Sequence, residues 1–152
     1  SAVVSSPTKN DKLFWLDMDF WPCFVGFCDK PKHYWEFLKE LGATDDHYLP
    51  AHADAAVKAL YNGGKRIYLL LIDRDEFAKY SKTERTGLLA HECVHILQEM
   101  RESIGDLGSE GEAYTMQRIL MSAMTWEKSR RKRGKPEIEF SEDIGSEQAG
   151  LG

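Results

Sequence analysis

The sharpest apolar feature of the chain is "KRIYLLLIDR", Lys65 to Arg74, a short hydrophobic run with two glycines before it and charged residues after it. That pattern predicts a strand. Upstream, "FWLDMDFWPCFVGFCDK" mixes aromatic and β-branched residues, and its second half reads as another strand with Gly26 inside it. Pro31 opens a helix, "PKHYWEFLKELG", and Gly42 stops it. The stretch "AHADAAVKALYNGG" fits either a short helix or a loop ending in a turn. Beyond the central strand, Ser81 or Thr83 caps a long helix that reaches about Ser103. The loop "IGDLGSEG" then turns the chain, and a second helix runs from about Ser109 to Lys128.

These elements predict an α+β fold, with a short sheet packed beside two long helices. Residues 1–12 read as a flexible leader and 13–128 as a single domain. The polar, glycine-rich stretch 129–152 reads as an extended or disordered arm. A length of 152 residues suits one domain with a modest core.

Charge removes some partners. A net charge of −5 argues against nucleic acid, whose phosphates call for an excess of Lys and Arg. Only "RRKR", Arg130 to Arg133, breaks the pattern, and beside an acidic tail it reads as a solvated helix end. No apolar stretch approaches the roughly 18 residues that a bilayer span needs, so no membrane partner is expected. "SAVVSSPTKNDK" lacks the basic start and long apolar centre of a signal peptide. Cys23, Cys28 and Cys93 form an odd set without zinc-ribbon spacing, which points to free thiols in a reducing cytoplasm.

Chemistry enters with "GLLAHECVHILQEM", Gly87 to Met100. Residues i and i+4 lie one above the other on a helix, so His91 and His95 can offer two imidazoles to one ion. Glu92 sits at the edge of that face, where it reaches a water held by the metal rather than the metal itself. Two nitrogen ligands plus a base is the arrangement of zinc hydrolases. At about 100° per residue, Leu89, Cys93, Ile96 and Met100 fall on the opposite side. Cys93 is thereby a packing residue. The bland alternative is a surface helix that happens to carry two histidines.

A third ligand must come from elsewhere. The residues after His95 read "ILQEMR", without the third histidine of the metzincins. Glu99, Glu102, Asp106, Glu110 and Glu112 remain as acidic candidates. A ligand from a second element suits tetrahedral geometry better than Glu99, one turn further along the same helix. Glu110 and Glu112 lie about 200° apart on the second helix, so at most one faces the ion. Glu110 shares its stripe with Tyr114, Gln117 and Met121, a mixed face suited to a cleft, and this favours Glu110. Glu112 is the alternative, with the positive helix N-terminus as its other use.

The combination of "HECVH", a glycine-containing loop and "EGEAY" resembles the Glu-zincin pattern. More closely, it resembles a family of small phage and prophage proteins described as zinc-dependent metallopeptidases. The resemblance spans Asp17 to Met124 and includes the aromatic start "MDFWPCFVGFC". It implies a zincin-like fold, one Zn²⁺ held by His91, His95 and Glu110, and Glu92 as catalytic base. The implied activity is attack of a zinc-bound water on a peptide carbonyl, with a peptide or protein substrate, in the cytoplasm of a bacterial host.

Tyr114, one turn past Glu110, is the nearest donor for a developing oxyanion, and equally suits packing or support of a ligand. His33, His47 and His52 read as surface or core residues. Two other readings stand beside the hydrolase. One is a metal-binding module that pins two helices together. The other is a catalytically idle accessory protein that binds a host factor.

Overall fold

A computed structural model describes residues 12–18 and 21–134. The expected leader apart from Lys12, and the expected arm beyond Gly134, lie outside the described residues. In chain order the elements are β1 (Phe14–Leu16), β2 (Phe24–Cys28), α1 (Pro31–Leu41), β3 (Ala55–Asn62), β4 (Lys65–Ile72), α2 (Arg74–Phe77), α3 (Lys82–Ser103) and α4 (Ser109–Gly134). The strands form one mixed sheet in the order β1-β2-β4-β3. β2 and β4 run parallel at its centre, and β1 and β3 flank them antiparallel. The α+β expectation is met at this level.

The sheet separates two apolar layers. Along β4, Tyr68, Leu70 and Ile72 pack with Val25, Phe27, Phe77 and the inner faces of α3 and α4. The alternate residues Ile67, Leu69 and Leu71 pack with Leu13, Tyr34, Phe37 and Leu38 on the α1 side. Burial on both faces explains why this strand reads as an unbroken apolar run. α1 begins at Pro31 and ends against Gly42, whose φ of 70° gives the left-handed stop that glycine allows.

Most of the undecided stretch is neither helix nor loop: Ala55–Asn62 is β3, the edge strand beside β4. Gly63 and Gly64 have φ of 58° and 82°, the two positive values that a two-residue hairpin turn needs. The β3 register with β4 then runs from Asn62↔Lys65 back to Ala55↔Ile72. Every residue from Ala55 to Leu60 is half-buried, so the inside–outside alternation that marks a strand is weak here.

α4 also differs from expectation, continuing past Lys128 to Gly134. The reason lies in the first two residues of "RRKR", Arg130 and Arg131, which are paired rather than solvated. Arg130 pairs with Asp29 at 3.0 Å, and Arg131 pairs with Glu127 at 3.2 Å. At the start of α3, Ser81 is the cap: it accepts from the Glu84 amide, and the Glu84 side chain accepts in return from the Ser81 amide.

Gly26 is a packing requirement. A Cβ there would lie 2.7 and 2.8 Å from ring atoms of Trp15 and 3.0 Å from Leu69. Gly26→Ala is therefore expected to lower stability by roughly 1–3 kcal/mol, read from urea unfolding, as overpacking does.

Asp45 ties the α1–β3 connection down. It accepts from the Tyr34 hydroxyl at 2.6 Å, the Lys58 ammonium at 2.8 Å and the His47 amide at 3.2 Å. Burial disfavours its charge, but the Lys58 and Tyr34 hydrogen bonds outweigh burial and hold the carboxyl down at about 2. A folded pKa below the ordinary 3.8 means this stabilisation is present above that value. It is lost as pH falls through about 2. Asp45→Asn should cost about 1–2 kcal/mol at neutral pH. Its deficit in melting temperature should shrink between pH 4 and pH 2 and stay constant above.

Candidate metal centre

α3 has an apolar back and a polar front. Leu89, Cys93, Ile96 and Met100 are buried against the sheet, whereas His91, Val94, His95 and Gln98 are exposed. Cys93 is a free, buried thiol, and burial pushes its pKa up to about 12, which fits packing rather than ligation. Cys23 and Cys28 are likewise free and buried.

On the front, the Nε2 atoms of His91 and His95 stand 3.2 Å apart, with the ring planes 77° from each other. Two nitrogens each 2.0–2.1 Å from one tetrahedral zinc are separated by about 3.3–3.4 Å. The pair therefore fits a zinc ion. An imidazole–imidazole hydrogen bond has a similar length, so tautomers matter. The Nδ1 of His95 lies 2.9 Å from the Gln98 side-chain oxygen, which can only accept. With the Gln98 oxygen facing the ring, the matching tautomer carries its proton on Nδ1 and keeps the Nε2 lone pair that a metal needs.

Glu92 turns from the front toward the sheet and is 7% exposed. It borders a depression of about 400 Å³ between α3 and the edge strand, lined by Ala55, Ala56 and Val57 of β3 with His95, Glu99 and Glu102. Burial pushes its carboxyl above the usual range, while charge on His91 and His95 acts the other way. A carboxylate raised by burial beside two imidazoles is suited to accept a proton.

The expected third ligand is not grouped with the pair, and the expected oxyanion donor lines a different depression. Among the described residues, no three His, Cys, Asp or Glu side chains stand close enough to hold one ion. Glu110 is exposed in the first turn of α4. Glu112 is engaged elsewhere, holding Arg101 at 2.7 Å across the α3–α4 turn. Tyr114 is 71% exposed and lines a separate depression with Gln117, Arg118, Met121 and Ser122. His33, His47 and His52 belong to no metal-capable group among the described residues.

Two contributors were missed in the sequence. Gln98, three residues beyond His95, was visible as a helical neighbour able to fix the ring. The β3 wall was not recognised, although Gly-Gly between two candidate strand segments is a hairpin signal.

Compared with family models, curated proteins and solved structures, the chain gives no match. The family resemblance therefore rests on the motif residues themselves.

The tautomer assignment is directly testable. In ¹⁵N–¹H correlation spectra of the neutral imidazoles, His95 should be protonated at Nδ1, and Gln98→Ala should shift it toward a mixed population. A His95 ring protonated at Nε2 in the wild-type protein would refute the assignment.

Proposed function

We propose that the chain is a zinc-dependent hydrolase of peptide bonds, with His91, His95 and Glu110 as ligands and Glu92 as general base. The observation that carries this reading is the 3.2 Å Nε2–Nε2 approach beside a buried glutamate. When bound, zinc would supply Lewis acidity, polarising a carbonyl and lowering the pKa of a water. Glu92 then accepts the proton of the attacking water on its carboxylate and delivers it to the leaving amine. The Gln98 side-chain oxygen keeps the His95 lone pair at Nε2. Ala55–Val57 of the edge strand border Glu92, and an edge strand offers backbone donors and acceptors to an extended chain. This supports a peptide rather than a compact small molecule as substrate.

Glu110 is the ligand this reading takes from the resemblance. Joining it to the pair requires an approach of the first turn of α4 that the described arrangement does not contain. Tyr114, taken as the oxyanion donor, lines a different depression from Glu92 and would likewise have to approach.

The test is metal content and cleavage of a peptide library by the full chain and its variants. The wild type should hold one zinc, and His91→Ala and His95→Ala should lose it. Glu110→Gln should weaken zinc binding about 10–100-fold, with Glu112→Gln unchanged. Glu92→Ala should keep metal and fold while cleavage falls about 10²–10⁴-fold. A wild type that retains no zinc overturns the metal reading. Zinc bound with wild type and Glu92→Ala equally inert overturns hydrolysis and favours a binding module.

A further inference from the structure

The depression beside the histidines carries more carboxylates than hydrolysis needs. Glu92, His95, Glu99 and Glu102 follow at steps of three, four and three along α3, which sets them in one stripe beside β3. At 1.5 Å per residue, Glu99 stands about 10 Å and Glu102 about 15 Å beyond Glu92 along the helix axis. Among the described residues, no lysine or arginine lines the depression, and neither Glu99 nor Glu102 takes part in a hydrogen bond or ion pair. Glu112, by contrast, is held by Arg101.

Glu92 is a separate sign that something enters. It is 7% exposed, borders the depression, and has no hydrogen-bond donor among the described residues. A buried carboxylate without a donor is costly, and an incoming N–H or O–H relieves it. One ion does not explain the set, because among the described residues no three such groups stand close enough to share it. Carboxylates spaced along a stripe match an extended chain instead. Tyr80, just before α3, donates to Asp54, just before β3. At the other end, Tyr61 of β3 and Ser103 of α3 share a hydrogen bond of 2.6 Å. β3 and α3 thus run side by side in the same sense, fastened at both ends. Ala55, Val57 and Ala59 face the core on that side, and the alanines are too small to fill the space.

We propose that the substrate is a basic peptide, extended along β3, with Glu99 and Glu102 receiving a lysine or arginine side chain away from the bond that is cut. An extended peptide advances about 3.3 Å per residue, so the cation lies about three to five residues from that bond. It lies on the side nearer the C-terminal end of α3. This count rests on the hydrolase reading, with Glu92 at the point of attack, whereas recognition of the cation does not.

Fluorescence anisotropy with the zinc-free full chain reads recognition apart from catalysis. The probes are a labelled decapeptide of alternating Lys and Ala and its Gln–Ala counterpart. The wild type should bind the lysine peptide about three- to tenfold more tightly than the glutamine peptide. Glu99→Gln/Glu102→Gln should remove that preference. The net charge of −5 attracts any polycation, so a control takes the same charge from exposed positions elsewhere, and Asp46→Asn/Asp75→Asn should keep the preference. Equal or absent binding of the two peptides by the wild type overturns the proposal. So does a preference that survives the glutamate replacements or falls equally in the aspartate control. Failure of the hydrolase reading looks different: the lysine preference stands while the zinc-loaded chain cuts nothing.

Discussion

The seating of both long helices depends on a cluster of buried ion pairs at one end of the sheet. Asp29 directly follows β2, and Arg74 opens α2 just past the end of β4. Because these two strands are parallel, their C-terminal ends emerge side by side, and Arg74 bonds Asp29 at 3.0 Å. Arg74 also reaches Glu127 on α4 at 2.6 Å, and Glu127 faces Arg85 on α3. One set of charges thereby links the sheet to α2, α3 and α4. Because Asp29 and Glu127 each serve more than one arginine, the members of the cluster hold one another in place. The cluster acts chiefly by penalising any other seating of the helices.

With α3 held there, its apolar back meets β4 and its polar front faces out beside β3. The rotation of the helix about its axis decides the chemistry. A turn in one direction would bury the histidines. A turn in the other would expose Glu92 and return its carboxyl toward ordinary acidity. As seated, the histidines are accessible, their Nε2 atoms converge, and Glu92 lies in the depression under the edge strand. The candidate metal site thus lies on α3 beside β3, positioned by this packing.

Much of this was legible along the chain. β4, the start and stop of α1, and both long helices follow from local signals: an apolar run, Pro31 and Gly42, a cap at Ser81 or Thr83 and helical periodicity. β3 was not, because an edge strand half-buried from Ala55 to Leu60 carries little alternation. The end of α4 was misread because arginines in a run look solvated until their partners, 101 residues away for Arg130 and Asp29, are known.

For the site, sequence alone determined that His91 and His95 share one helical face, that Glu92 borders it, and that Cys93 packs behind it. Those relations are set by the 3.6-residue repeat and need no tertiary information. Only the tertiary structure decided what stands around that face: β3 beside Glu92, Glu112 committed to Arg101, and Glu110 and Tyr114 not gathered at the histidines. Spacing within one helix fixes angles about one axis. The distance between side chains on two helices depends on how both pack, and here that is decided by contacts from strands and arginines far apart in the chain.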